Sequence, residues 1–289
     1  MTAAPRAAES PVHAFTVDFE DWFQGLEIDA AGWKGFESRL AVGTGRLLDL
    51  LAAAEVRATF FVLGAAAESA PGLVREIAAR GHEIATHGYG HGFVSRMGPA
   101  EFRADLQRSL EILTGLVPGP VRGFRAPYFS IVRGTEWAFE ILRDCGIRYD
   151  SSLFPVRNYR YGVPGAPRRI HETDSGVIEL PPSTWRLGGT NVPVAGGAYF
   201  RLFPYIVTHF GLGRIAAEGH PAVFYLHPWE LDPAHPRIPL PRRIAWPHYL
   251  NLGSTEKRLR RLLSDFPFTT AAEVLAARGW PLAGSPETG

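Results

Sequence analysis

The chain has one cysteine, Cys145, in 289 residues. No internal disulfide can form, so nothing in the sequence calls for an oxidising compartment. Cys145 lies in the apolar-periodic stretch 137–147 and is expected to be a buried structural thiol. No run of about 18 apolar residues occurs, which argues against a membrane-spanning helix. The first residues, MTAAPRAAESP, have no apolar central region, so no secretory signal is read there and the protein is expected in the cytoplasm. No long basic stripe occurs either. The net charge is +1, and the one basic cluster, Lys257 to Arg261, reads as a solvated helix face. A nucleic-acid partner is therefore not expected. What remains is a globular composition, 46% hydrophobic and 20% charged. With no internal repeat or clear linker, one domain over 12–280 is expected, between disordered tails at 1–11 and 281–289.

Strands and helices alternate along the chain. Short β-branched or apolar runs at 12–17, 56–63, 82–86, 121–124, 147–149, 177–180 and 222–226 read as strands. Helical spacing predicts helices over 43–54, 71–80, 99–116, 134–145, 200–217, 254–264 and 270–278. Loops are expected over 26–40, 155–198 and 232–247. This alternation predicts a parallel sheet. Polar groups recur where strands end: Asp18, His87, Arg125, Asp150 and His227. In parallel α/β folds those ends share one face, where sites assemble.

His87 and His91 stand four apart, and on a helical turn both imidazoles would face one ion. Asp18, Glu20 and Asp21 supply carboxylates. Glu20 shares Asp18's side of an extended strand. Asp21 reaches a metal only if the strand ends in a turn, so both stay candidates. Two histidines and one carboxylate leave an open position for water, as catalytic zinc sites do. Asp18 would then take a proton from the water, Arg125 would hold Asp18 ionised, and His227, on the opposite strand end, would protonate the leaving group. A backbone N–H near Pro127-Tyr128 would face the oxyanion. Each residue also has a plainer role. Arg125 could make a structural salt bridge, Asp150 could cap the Ser151-Ser152 turn, and His227 could be a core histidine.

Thr16-Val17-Asp18-Phe19-Glu20-Asp21, His87-Gly88-Tyr89-Gly90-His91, Arg125-Ala126-Pro127-Tyr128, Tyr149-Asp150-Ser151-Ser152 and Phe224-Tyr225-Leu226-His227 resemble, in order, the five motifs of the polysaccharide deacetylases. This is the NodB-homology, or carbohydrate esterase 4, family. The resemblance implies a distorted (β/α)7 barrel in a single domain. It implies one divalent metal, zinc first, with cobalt, nickel or manganese as alternatives, and removal of acetyl groups from sugars. By motif, Asp18 would be the base, His227 the acid and His87 and His91 metal ligands, while Asp150 would tune His227. The sequences Asp18-Phe19-Glu20-Asp21-Trp22-Phe23, Asn191-Val192-Pro193-Val194-Ala195-Gly196-Gly197-Ala198-Tyr199-Phe200-Arg201 and His227-Pro228-Trp229-Glu230 resemble a subgroup tied to bacterial exopolysaccharide and exosortase systems, with a C-terminal extension over about 193–276. Tyr128, Pro127, Trp22 and Trp229 are candidate substrate contacts, as are Trp185 and Tyr199. Two other readings compete: an amidohydrolase for a small cyclic amide or ureide, and a silent carbohydrate-binding module.

Overall fold

In the computed structural model, which describes residues 11–28, 30–158, 161–280 and 282, strands and helices alternate through the first half of the chain. The apolar run of β1 (His13–Phe19) is buried at every position. It is followed by α1 (Leu40–Ala53), β2 (Thr59–Val62), α2 (Gly64–Ser69) and α3 (Pro71–Ala79). Pro71 opens α3, where its missing N–H costs nothing. Then come β3 (Glu83–Thr86), α4 (Pro99–Thr114), β4 (Gly123–Phe124), α5 (Trp137–Asp144) and β5 (Tyr149–Asp150). The expected elements are present, mostly trimmed at their ends. Only α2 has no expected counterpart among these helices, because six residues are too few to show a period.

The second half departs further from expectation. Stretch 155–198 holds four strands rather than one: β6 (His171–Glu172), β7 (Ile178–Glu179) and the hairpin β8 (Thr184–Leu187) and β9 (Thr190–Pro193). Gly188 and Gly189, at φ 54° and 85°, form the hairpin's two-residue turn, which needs positive φ at both positions. The helix expected over 200–217 is two, α6 (Gly197–Leu202) and α7 (Tyr205–Ala217), because Pro204 has no N–H to continue the ladder. After β10 (Val223–Leu226), the loop expected over 232–247 runs into a helix, α8 (Arg242–Tyr249), that contains Pro247. The remaining elements are α9 (Thr255–Asp265), β11 (Phe268–Thr269) and α10 (Ala271–Ala277). In α9, Lys257, Arg260 and Arg261 are solvated as expected. Arg258 instead turns inward and donates to the carbonyls of Phe200, Arg201 and Phe203. Cys145 is half-buried, not buried, because it sits at the end of α5 beside Arg103. Of the expected tails, only Pro11 and Leu282 are among the described residues, and Leu282 is buried. No described helix is long and apolar enough to cross a membrane.

The main sheet runs β10-β1-β2-β3-β4-β5-β7 with all neighbours parallel. β6 lies antiparallel on β7, and β11 pairs with β1. The sheet curls toward closure. The Val223 N–H donates to Ser183 Oγ at 2.7 Å, tying the β10 edge to the chain that leaves β7. This is the distorted (β/α)7 half-barrel that the motifs imply. Along β1, Phe15, Val17 and Phe19 pack outward with Leu47 and Leu51 of α1. Burying each such side chain stabilises the fold by about 1.5–3 kcal/mol. Thr16 and Asp18 alternate to the inner face. His227 follows β10, which is β1's immediate neighbour, so it is not on an opposite strand as expected.

Candidate metal centre and cleft

A cleft with about 800 Å³ of free space opens where these strands end, and Asp18, Glu20, His87, His91, Tyr128 and His227 help line it. Asp18 closes β1's inner face, and its Oδ1 accepts from Arg125 Nη1 at 2.7 Å. Arg125 is fully buried. Three further donors are used: Nη1 also reaches Thr16 Oγ1 (2.9 Å), Nη2 reaches Ser151 Oγ (2.8 Å) and Nε reaches the Ser151 carbonyl (3.2 Å). The phenyl ring of Phe61 lies 4.2 Å beneath it. A guanidinium gripped this fully presents a fixed charge to Asp18.

Beyond Asp18 the strand turns at once, with the Glu20 N–H bonded to the Asp18 carbonyl at 3.1 Å. That turn points Glu20 into the cleft. Asp21 goes elsewhere: it accepts from Ser38 Oγ (2.5 Å), the Trp22 N–H (2.9 Å) and the Arg39 N–H (3.2 Å), fastening the lead-in to α1. As a metal-ligand candidate it is corrected, because its oxygens are already committed.

Glu20, His87 and His91 offer ligand atoms that all lie within 4.8 Å of one another. His91 Nε2 is 2.5 Å from Glu20 Oε2 and His87 Nε2 is 3.9 Å from it. The close pair is not aligned as a hydrogen bond, and Glu20 Oε2 is buried with no hydrogen-bond partner. Converging lone pairs of this kind suit a cation between them. The Arg125 carbonyl can only accept, so its 2.8 Å contact fixes the proton of His87 on Nδ1 and leaves the Nε2 lone pair for a metal. Burial, the largest influence, pushes His87 down to about 4 despite Asp18 and Glu20, so it stays neutral as a ligand must. Burial opposes Glu20's charge, but His91, then His227 and His87, outweigh it and hold the carboxyl at about 2.

Residues 87–91 are not a helical turn, contrary to expectation. Gly88 (φ 72°) and His91 (φ 54°) bend the loop, and Asp105 of α4 accepts from the N–H groups of Tyr89 (2.7 Å) and Gly90 (2.9 Å). The sequence reading missed Asp105. Its only signal is a carboxylate one residue from the buried Leu106 on an amphipathic helix.

His227 Nε2 lies 3.8 Å from both Asp18 Oδ2 and Glu20 Oε1. Its Nδ1 meets Glu230 Oε1 at 2.8 Å, and that carboxyl oxygen also accepts the His227 N–H at 3.0 Å. Burial would lower His227, but the bond and charge of Glu230, with Glu20 and Asp18, outweigh it and lift the imidazole to about 9. Burial likewise disfavours charge on Glu230, yet Arg201 and His227 hold it at about 2. Glu230 therefore occupies the place expected of Asp150. Asp150 is fully buried and binds the Ser152 N–H (3.0 Å) and Oγ (2.6 Å), and Ser152 Oγ accepts from the Ala126 N–H (2.8 Å). It caps the Ser151-Ser152 turn that grips Arg125 and has no contact with His227 among its hydrogen bonds.

Of the expected substrate contacts, Tyr128 and Trp229 line the cleft. Tyr128 (φ 57°) stacks on Phe93 with centroids 4.0 Å apart and meets His91 edge-on. Trp229 stacks between His227 and His248. Pro127 is not part of the wall, since its carbonyl closes the turn onto Ser130. Trp22 is fully buried against Phe23 and Phe36, its indole N–H on the Glu37 carbonyl, and is core rather than wall. Trp185 packs edge-on against Phe210, and Tyr199 bonds to the wall residue Tyr161.

Comparison with known proteins agrees with this geometry. Residues 34–149 match the family model for polysaccharide deacetylases, and residues 151–276 match a domain of unknown function, DUF3473. The peptidoglycan-N-acetylglucosamine deacetylase of Bacillus cereus is 37% identical over 98 residues, covering 34% of this chain and 36% of that protein. The chitooligosaccharide deacetylase of Sinorhizobium fredii is 41% identical over 88 residues, covering 30% of this chain and 41% of that one. The chain thus matches well under two thirds of these relatives' length. In fold, it resembles a Mycobacterium smegmatis protein assigned to the polysaccharide deacetylases, with TM-score 0.66 and 22% identity over 99% of this chain and 98% of that one. The DUF3473 match contributes β10 to the same sheet and His227 to the same cleft. Over residues 34–149 the chain therefore carries a polysaccharide deacetylase domain, the family that its motifs resemble.

Proposed function

We propose that the chain hydrolyses the acetamide of N-acetylhexosamine units, releasing acetate, with one divalent metal, zinc first, held by Glu20, His87 and His91. The observation that carries this is the pairing of Asp18 with Arg125 at 2.7 Å, with His227 Nε2 only 3.8 Å from Asp18 and the three ligand side chains beside both. When bound, the metal supplies Lewis acidity toward the acetyl carbonyl and toward water. Asp18 takes the proton of the attacking water. Arg125 holds one oxygen of that carboxylate and so fixes the other toward the cleft. His227, protonated to high pH by Glu230, gives its Nε2 proton to the departing amine nitrogen, which is otherwise too basic to leave. The N–H of Tyr128 is the candidate oxyanion donor. Tyr128 offers its ring to a sugar, while Trp229, stacked on two imidazoles, presents only an edge to the cleft.

The substrate in this proposal is a bacterial exopolysaccharide or its biosynthetic intermediate, and the 193–276 region is a subgroup-specific extension of the barrel. A cytoplasmic place of action belongs to the same proposal, and cell fractionation that found the protein elsewhere would remove it. The silent binding module is disfavoured by the Asp18–Arg125 and His227–Glu230 pairs, since binding alone requires neither a base nor an acid. The decisive assay is acetate release from N-acetylglucosamine oligomers and from short lipid- or nucleotide-linked N-acetylsugars by the metal-loaded protein. Release from a cyclic amide but from no acetylated sugar would move the assignment to the amidohydrolase reading.

A further inference from the structure

Arg201, on α6, is fully buried and lines the cleft, and the subgroup resemblance of the 191–201 stretch gives it no role. Its Nε donates to Glu230 Oε2 at 2.5 Å, while Glu230 Oε1 holds His227 Nδ1. Its Nη1 donates to the carbonyls of His248 (3.0 Å) and Leu250 (2.7 Å), at the end of α8. Ile244, Pro247 and His248 of α8 form part of the cleft wall. The guanidinium also lies 5.3 Å from the Trp229 ring, which stacks on His227. One side chain thus touches three of the features that fix the His227 ring: its carboxylate partner, its stacking partner and the wall beside it.

We propose that Arg201 is a positioning residue for the general acid, holding Glu230 so that His227 keeps its Nδ1–H bonded and its Nε2 turned toward Asp18, and tying that orientation to the α8 wall. The proposal rests on the deacetylase reading above. Glu230 accepts from Arg201 through one oxygen and from His227 through the other. Without the guanidinium, the buried carboxylate would have one partner and freedom to rotate, and the imidazole would lose its fixed tautomer. A lysine could not replace the fork, because its single ammonium cannot reach Glu230 and two carbonyls in the same fixed geometry.

The test compares two substrates that differ in leaving group. An N-acetylglucosamine oligomer expels an amine, which must be protonated. 4-Nitrophenyl acetate expels a nitrophenolate, which leaves without a proton. In the zinc-loaded enzyme, Arg201→Met should lower kcat on the oligomer about 100-fold with KM little changed, and alter 4-nitrophenyl acetate hydrolysis by less than about threefold. Zinc content should stay at the wild-type level. Arg201→Lys should fall nearly as far on the oligomer. Glu230→Gln, which keeps the packing volume but cannot serve Arg201 and His227 equally, should reproduce the split. An equal fall on both substrates, or no fall on either, overturns the proposal. Imidazole 15N NMR of His227 provides a readout independent of turnover. Above about pH 10, where the ring is neutral, the wild type should carry its single proton on Nδ1, and Arg201→Met and Glu230→Gln should show mixed tautomers. An unchanged tautomer in both variants also overturns it. If wild-type enzyme releases no acetate from any acetylated sugar while the NMR result holds, the deacetylase reading fails and the positioning role stands.

Discussion

Asp18 Oδ1 and Arg125 Nη1 form a buried ion pair at 2.7 Å between residues 107 positions apart, and Thr16 Oγ1 joins the same guanidinium nitrogen. Asp18→Asn preserves this packing while removing the proton acceptor. Deacetylation should fall by a factor on the order of 10³ or more, while metal content, read by elemental analysis, stays at wild-type. Near-native turnover in this variant would remove Asp18 from the role of base.

His87→Ala or His91→Ala removes one of the three proposed ligands, and both metal and activity should be lost. Asp105→Ala leaves all ligands but releases the Tyr89 and Gly90 N–H groups that shape their loop. Metal affinity should weaken by about 10- to 100-fold, the usual effect of losing an outer-shell partner. Competition with a chelator measures it, and an unchanged dissociation constant would show that the loop holds its shape unaided.

Two glycines two positions apart in α1 should respond with opposite signs to alanine. At Gly45 an added Cβ meets nothing within 4 Å, so Gly45→Ala should be neutral or stabilise by up to about 1 kcal/mol. At Gly43 the Cβ would clash with the Pro228 carbonyl oxygen, on the turn that carries Trp229 and Glu230. Overpacking of this kind costs about 1–3 kcal/mol. Gly43→Ala should lower the denaturation midpoint and reduce turnover by displacing His227. Equal midpoints for the two variants would contradict the close approach.

Acid should destabilise the fold before the carboxylates titrate. His13 Nδ1 accepts the Ala222 N–H and His82 Nδ1 accepts the Ala58 N–H, so both rings are neutral acceptors. Burial, aided by Arg278 for His13 and by Arg80 and Arg57 for His82, lowers each from 6.5 to about 4. Above pH 6.5 neither folded nor unfolded state is protonated there, and the stabilisation is complete. Between about 6.5 and 4 the unfolded chain binds protons that the folded one does not, so stability falls as pH falls. Thermal midpoints at pH 8, 7, 6 and 5 should decline below 7. His13→Asn, which keeps an acceptor without the titration, should flatten the decline.

Much of the site could be read before the fold was known, because its residues are chemically conspicuous and stand at strand ends. Asp18, His87, His91, Arg125 and His227 carry charge or imidazole where an apolar run stops. The choice of Glu20 over Asp21 was not readable, since it depends on a single turn, the Glu20 N–H on the Asp18 carbonyl. Asp105 was hidden for a related reason: it looks like an ordinary charged residue on a helix, and only tertiary packing shows what it holds. Arg201 and Glu230 stood in stretches that resemble the subgroup, but the resemblance gave neither a role, and their mutual bond spans 29 positions. Glu230 reaches His227 locally, from three residues on, and what local periodicity cannot specify is the pairing of β10 with β1 that brings His227 to Asp18.

That pairing also sets the order in which the protein becomes active. Thr16 and Tyr225 are register partners, and the Thr16 hydroxyl bonds the Phe224 carbonyl across 208 positions of chain. Contacts this distant in sequence form late, because a long loop must close before they return any stabilisation. Under the proposed roles, a molecule in which β10 has not docked would have its base and its metal ligands but no acid and no Arg201–Glu230 clamp. Turnover of an amide would then report completion of folding more sharply than helix content does, and a fragment ending after β5 would bind metal without turning over an amide.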